Sequence, residues 1–79
     1  MNNLRTPTTN LATQAKLDEL ELQLQGQFTG RVADFRVLSS GGGIVLRGFT
    51  RTYYLKQLAQ QAVMNRTDLP IVANEIEVY

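Results

Sequence analysis

The sequence has 79 residues, with eight basic and seven acidic side chains and a formal net charge of +1. It lacks cysteine and histidine, which excludes disulfides and thiol chemistry and removes the usual zinc ligands and the commonest general base. The near-neutral balance of charge argues against a strongly electrostatic nucleic-acid binder. A chain this short forms one domain that buries only about 60% of its unfolded surface, so association with other copies would stabilise it.

Residues 1–10 are polar, include Pro7 and show no hydrophobic period. We interpret them as a flexible N-terminal arm; an arm that becomes ordered against a neighbouring subunit is the alternative. No apolar run approaches the roughly 20 residues of a membrane span, and the N-terminus has no apolar stretch of signal-peptide length. We therefore expect a cytoplasmic protein without a transmembrane segment, whose folded domain covers residues 11–79.

The segment from Leu11 to about Gln25 has neither glycine nor proline and is rich in helix-forming residues. Asn10 suits an N-cap position and Gly26 a C-cap position. Four apolar residues fall on one face of such a helix: Leu17, Leu20, Leu24 and Phe28. The pattern predicts a core-packing helix over residues 11–25, since a membrane-surface helix would carry more basic residues on its polar face.

Two β-type segments, Val32–Leu38 and Ile44–Leu46, flank a connector that contains Gly41, Gly42 and Gly43. Such a pair of segments predicts a β-hairpin, with the glycines supplying positive φ angles in the turn. A phosphate-binding loop would need a helix rather than a strand after its glycines.

Strict alternation gives this hairpin one apolar face and one mixed face. The residues assigned to the apolar face are Ala33, Phe35, Val37, Ile44, Leu46 and Gly48. The residues assigned to the mixed face are Val32, Asp34, Arg36, Leu38, Val45, Arg47 and Phe49.

Thr52 is placed to cap a second helix that runs to about Arg66 and contains small residues such as Ala59. Tyr53 and Tyr54 lie in its first turn. Because adjacent residues do not share a helix face, we expect at least one tyrosine to expose its hydroxyl.

Apolar and polar residues alternate from Ile71 to Tyr79 and predict a third strand. Its inward face would hold Val72, Asn74, Ile76 and Val78, and its outward face Ala73, Glu75, Glu77 and Tyr79. An inward Asn74 needs hydrogen-bond partners, so we predict that it ties the strand to nearby backbone.

The elements together predict an α+β fold with the order α-β-β-α-β, in which two helices cover one face of a three-stranded sheet. The residues predicted to be buried are Phe35, Val37, Ile44, Leu46, Leu58, Ala62, Ile76 and Val78.

Three features occur here in order. They are a glycine before an apolar-x-Leu-x-Gly strand, a helix with small residues, and a closing V-x-N-x-I-x-V strand. The matching residues are Ile44, Leu46, Gly48, Thr52, Ala59, Val72, Asn74, Ile76 and Val78. In this respect residues 14–79 resemble the BON domain family, although Leu69-Pro70-Ile71 replaces the usual Gly-Val before the last strand.

The resemblance implies a mixed sheet with the second strand in its centre, no enzymatic activity, and a role in phospholipid binding or protein interaction. An antiparallel sheet with the first strand central is the alternative topology. The element order is also similar to KH-like domains, but those bind nucleic acid through a G-x-x-G loop between helices. Here the glycines lie between strands, so we do not expect nucleic-acid binding.

No catalytic residue, cofactor site or metal site is predicted. Glu75 and Glu77 would lie about 7 Å apart on one strand face, a separation compatible with inverting glycoside hydrolysis. They would nevertheless face arginines on an open sheet rather than line a pocket. We therefore expect a non-enzymatic protein that needs no cofactor.

The mixed sheet face and the tyrosine pair form the candidate interaction surface. Its residues are Arg36, Leu38, Val45, Arg47, Phe49, Tyr53, Tyr54, Glu75, Glu77 and Tyr79. A solvated face with cross-strand ion pairs is the simplest interpretation. An interface is the second, because apolar residues are interleaved with both signs of charge.

The sequence thus predicts an interaction module that self-associates into a homo-oligomer, since small size and an unpaired sheet edge both favour partners. A head-to-tail contact that does not close would produce a filament or tubule. The alternative function is phospholipid binding, in which Arg31, Arg36, Arg47 or Arg51 meets the headgroups.

Overall fold

A computed structural model describes the backbone from residue 5 to residue 79 and the side chains from residue 14 onwards. Its elements are α1 (Arg5–Gln27), β1 (Val32–Ser40), β2 (Gly43–Thr50), α2 (Tyr53–Met64) and β3 (Ile71–Val78). This is the predicted α-β-β-α-β order of an α+β fold.

Strand β2 lies in the centre of a three-stranded mixed sheet. It pairs antiparallel with β1 and parallel with β3. The preferred strand order is therefore confirmed, and the alternative with the first strand in the centre is wrong. A parallel pair needs a crossover connection, which α2 provides as it packs on β2 and β3.

The core lies between the helices and one face of the sheet. Its buried side chains are Leu17, Leu20, Leu24, Phe28, Val32, Phe35, Val37, Ile44, Leu46, Ala59, Val63 and Ile76. The rings of Phe28 and Phe35 pack with centroids 6.0 Å apart and tilted by 54°. Leu58 and Ala62, predicted to be buried, are partly buried against this cluster.

Helix α1 is longer than the predicted 11–25 segment. It starts at Arg5 and ends at Gln27, so Asn10 is not its N-cap and Gly26 is not its C-cap. Pro7 is tolerated because it lies in the first turn, where its missing N–H has no helical partner. The predicted arm, residues 1–10, overlaps this helix from Arg5, and residues 1–4 lie outside the described part of the chain.

A β-bulge in β1 changes the predicted faces at the start of that strand. Ala33 pairs with Phe49 and Arg36 with Arg47, so two residues, Asp34 and Phe35, oppose the single residue Gly48. Asp34 has a positive φ of 52°. Val32 is therefore buried and Ala33 exposed, which reverses the prediction from strict alternation.

A second irregularity occurs where β3 begins. Ile44 pairs with Ile71, whereas Val45 pairs with Ala73. Ile71 therefore packs against the core and Val72 is 59% exposed. Val78, at the other end of the strand, is 44% exposed. The inward position predicted for Val72 is therefore wrong. The burial predicted for Val78 is also wrong, although Val78 shares a strand face with Ile76.

The predicted turn and cap residues on either side of β2 are confirmed. Gly41 and Gly42 form the two-residue hairpin turn with φ angles of 54° and 85°, as a type I′ turn requires. The hydroxyl of Thr52 accepts a hydrogen bond from Leu55 N–H at 3.1 Å and caps α2. The hairpin turn thus precedes β2, and the capped start of α2 follows it.

Asn74 ties β3 to nearby backbone, as predicted, and that backbone belongs to α2. Its Nδ2 donates to the Lys56 carbonyl at 3.2 Å and to Gln60 Oε1 at 3.1 Å, while its Oδ1 accepts from Ile76 N–H at 3.2 Å. The described residues contain no buried side-chain nitrogen or oxygen without a hydrogen-bond partner. Folding therefore leaves no buried polar side-chain atom of the described residues without a partner.

We predict opposite effects for two glycine substitutions. Gly48 has a φ of 154°, and a Cβ there would lie 3.0 Å from the Ala33 carbonyl oxygen. Gly48→Ala should lower the free energy of unfolding by about 1–3 kcal/mol. Gly26→Ala, in an exposed helical position with no atom within 4 Å of the new Cβ, should raise it by about 0.5–1 kcal/mol. Urea denaturation measures both, and equal effects would contradict the bulge geometry.

Asn74→Ala should lower the free energy of unfolding by about 1–3 kcal/mol, because it leaves polar groups of α2 and β3 without partners. Asn65→Ala is the matched control: Asn65 is exposed and adopts right-handed helical angles that alanine also adopts. Its effect should stay within about 0.5 kcal/mol. Similar losses in the two variants would show that Asn74 does not join strand to helix.

Candidate interaction surface

The sheet face opposite the helices carries rows of side chains that cross the strands. Leu38, Val45 and Ala73 are aligned across the three strands and are half-buried. Phe49 and Glu77 form an exposed row nearer the ends of β2 and β3. We call this surface the open face. An apolar row therefore lies beside charged and aromatic groups, as the sequence predicted.

The charged row of the open face places Arg36, Arg47 and Glu75 side by side. Two neighbouring arginines would repel each other, but each has a carboxylate partner. Arg47 Nε lies 3.1 Å from Glu75 Oε1, and Arg36 Nε lies 3.2 Å from Glu21 Oε1 in α1. Each arginine remains more than half exposed, so each pair contributes at most about 1 kcal/mol.

A shallow depression of about 590 Å³ lies on the open face. Its lining residues are Asp34, Arg36, Arg47, Gly48, Phe49, Glu75 and Glu77. Both signs of charge line it. Within residues 14–79 no group of three or more acidic side chains is arranged to hold a metal ion.

The exposed aromatic residues gather at one end of the domain. Strands β2 and β3 run parallel and end there, and α2 begins there. The exposed residues at this end are Phe49, Tyr53, Tyr54, Val78 and Tyr79. We call this set the aromatic end. It contains all three tyrosines of the chain and one of its three phenylalanines, while Phe28 and Phe35 are buried.

Two arginines adjoin the aromatic end. Arg31 and Arg51 line a hollow of about 240 Å³ together with Leu55 and Tyr79. Both arginines are exposed, and neither forms an ion pair with a described side chain. The Tyr79 N–H donates to the Thr50 carbonyl at 3.0 Å, so the backbone of this end is held in place.

Two residues that no sequence pattern indicated protect the edge of the sheet. Glu21 Oε1 accepts from the Val37 N–H at 2.8 Å, and Gln25 Nε2 donates to the Phe35 carbonyl at 2.8 Å. Both side chains project from α1 onto backbone groups of the edge strand β1. Their spacing of four residues indicates a shared helix face, but the sequence does not show which strand that face meets.

The ten predicted interface residues fall into two connected groups. Arg36, Leu38, Val45, Arg47, Glu75 and Glu77 lie on the open face, and Tyr53, Tyr54 and Tyr79 lie at the aromatic end. Phe49 belongs to both. Val32, assigned to the mixed face by alternation, is buried in the core instead.

Comparisons of the chain with protein-family models, with curated proteins and with solved structures found no match. None of the helices that the structure describes is long and apolar enough to cross a membrane.

We predict that Glu21→Ala exposes the edge of β1. The variant loses the acceptor for the Val37 N–H and the partner of Arg36, so its free energy of unfolding should fall by about 1–3 kcal/mol. An uncovered edge strand also pairs with other chains, so light scattering on heating should rise earlier than in the unmodified protein. Glu19→Ala, in the same helix but exposed, should change neither quantity. Equal aggregation of the two variants would contradict edge protection by Glu21.

Proposed function

We propose that this protein is a non-enzymatic, BON-like interaction module that associates with copies of itself. The observation that carries the proposal is the continuous exposed surface formed by the aromatic end and the open face. Exposed aromatic residues and arginines are enriched at protein interfaces. In this chain Phe49, Tyr53, Tyr54 and Tyr79 gather at one end beside Arg31 and Arg51.

The charge pattern of the open face supports a partner that is also near neutral. Arg36 and Arg47 are matched by carboxylates of the same chain, and the depression on this face is lined by two arginines and three carboxylates. The face therefore has no excess of positive charge to attract a strongly acidic partner. A second copy, with the same balanced surface and a net charge of +1, meets this requirement. The half-buried row formed by Leu38, Val45 and Ala73 would gain burial in such a contact.

The arrangement of the carboxylates supports a binding rather than a catalytic role. Asp34, Glu75 and Glu77 line an open depression on the sheet rather than an enclosed site from which water is excluded. Glu75 is engaged by Arg47. General acid–base chemistry depends on a group held within hydrogen-bond reach of a bound substrate.

Phospholipid binding is a second candidate, favoured by the two arginines at the aromatic end. Tyrosine and arginine side chains suit the boundary between apolar and aqueous regions of a membrane surface. Each basic residue near an anionic surface contributes about 1 kcal/mol, so Arg31 and Arg51 alone would give weak, salt-sensitive binding. Co-sedimentation with vesicles containing phosphatidylglycerol tests this candidate, since Arg31→Glu combined with Arg51→Glu should abolish any binding.

Self-association is tested by light scattering coupled to size-exclusion chromatography over a concentration range into the high micromolar. The mass should exceed the 8.9 kDa of one chain. Phe49→Ser should weaken association at least tenfold, because loss of a central aromatic contact of the hot-spot kind costs about 2 kcal/mol or more. Leu22→Ser is the matched control, since Leu22 is an exposed apolar residue of α1 outside the proposed surface.

A mass of 8.9 kDa at every concentration and salt level would exclude self-association and leave a monomeric binding module. If Leu22→Ser weakened association as strongly as Phe49→Ser, the interface would lie on the helices rather than on the proposed surface.

A further inference from the structure

We infer that copies of this chain associate head to tail, with the aromatic end of one copy docked on the opposite end of the next. The inference rests on the proposed self-association and specifies its geometry. The two ends present different surfaces, so the contact is heterologous. A docked pair keeps one unused aromatic end and one unused opposite end for further neighbours.

The opposite end, which we call the tail end, lies where α2 finishes and β3 begins. A hollow of about 320 Å³ is present there. Its lining residues are Gln60, Met64, Thr67, Asp68, Leu69, Pro70 and Ile71. Met64 and Val72 are exposed beside the start of β3. The eight residues of β2 span roughly 26 Å, so the two ends lie on opposite sides of the domain.

The two ends are chemically complementary. The aromatic end projects tyrosine rings, whereas the tail end offers a hollow with a methionine and a proline, and methionine sulfur packs favourably against aromatic rings. Arg31 and Arg51 have no described ion-pair partner at the first end. Asp68 at the tail end is exposed and also forms no ion pair with a described side chain. A contact between the ends would pair these charges.

Lys16 and Arg66 line a neighbouring hollow together with Asp68, but neither forms an ion pair with it. Arg66 has other partners. Its guanidinium donates to Gln23 Oε1 at 2.9 Å and to Gln27 Oε1 at 3.4 Å. The side chain is therefore directed towards α1. Asp68 is left as the charged group that lines the hollow.

The extension of α1 gives an independent argument. The first buried side chain described in this helix is Leu17, which lies beside Leu69 at the tail end. The helix begins at Arg5, so its backbone continues past the tail end by about 18 Å at 1.5 Å per residue. In a head-to-tail contact this part of the helix backbone runs alongside the neighbouring copy and extends the contact.

Mixing two variants tests the polarity of the contact. The head variant carries Tyr54→Ser and Tyr79→Ser, and the tail variant carries Met64→Lys and Val72→Lys; all four residues are exposed. Each variant alone should be a monomer of 8.9 kDa. An equimolar mixture holds one intact aromatic end and one intact tail end, so it should form a 1:1 dimer of twice that mass and grow no further. Circular dichroism of each variant confirms that it is folded.

Charge exchange provides a second measurement that does not depend on the apolar substitutions. Arg51→Glu and Asp68→Arg should each weaken association at least tenfold, and the chain that carries both should recover it. The control pair is Arg51→Glu with Asp18→Arg, because Asp18 is exposed on α1 away from the tail hollow, and this pair should not recover association.

The other outcomes are distinct. If the tail variant alone still formed dimers and the head variant did not, the contact would join two aromatic ends and the head-to-tail inference would be wrong, while self-association would stand. If both variants assembled like the unmodified chain, the open face would carry the contact instead. A monomeric unmodified chain would overturn the inference together with the proposed function, and its sedimentation with anionic vesicles would favour the lipid-binding alternative.

Discussion

The position of β2 between an antiparallel and a parallel neighbour determines the rest of the structure. Parallel pairing requires a crossover, and α2 provides it while covering the apolar face of the sheet. The same pairing brings the ends of β2 and β3 together at the place where α2 begins. Phe49 and Tyr53 lie on either side of the short connection from β2 to α2. Tyr79, 26 residues after Tyr53 in the sequence, joins them at one end for this reason.

Much of the fold could be predicted because local patterns and tertiary packing agree. The alternation of Ile44 and Leu46, the hydroxyl of Thr52 at a helix start and the polar Asn74 in an apolar strand each have one simple structural solution, and the structure adopts it. The glycines of the hairpin turn likewise have the positive φ angles that their position requires. Such features can be predicted from the sequence because the local conformational preference of these residues agrees with the packing of the whole fold.

The features that could not be predicted are departures from strict periodicity. Asp34 has a positive φ, which its residue type permits but does not signal, and the resulting bulge buries Val32. The offset between Ile71 and Ala73 along β2 similarly exposes Val72. Of the candidate surface, the residue types were predictable. The meeting of Tyr79 with Tyr53 and Tyr54 was not, because alternation assigned Tyr79 to the outward face of its strand together with Glu75 and Glu77.

The contacts of Glu21 and Gln25 with β1 also bear on the order in which the chain folds. These hydrogen bonds join residues 16 and 10 positions apart, and β1 and β2 are joined by a two-residue turn. The chain segments that must close to bring α1, β1 and β2 together are therefore short. Strand β3 pairs with β2 only by closing a segment that includes the whole of α2. In a chain that forms its local contacts first, α1 covers the edge of β1 before β3 has paired with β2. The strand edge left unpaired until then is the edge of β2 with which β3 itself pairs.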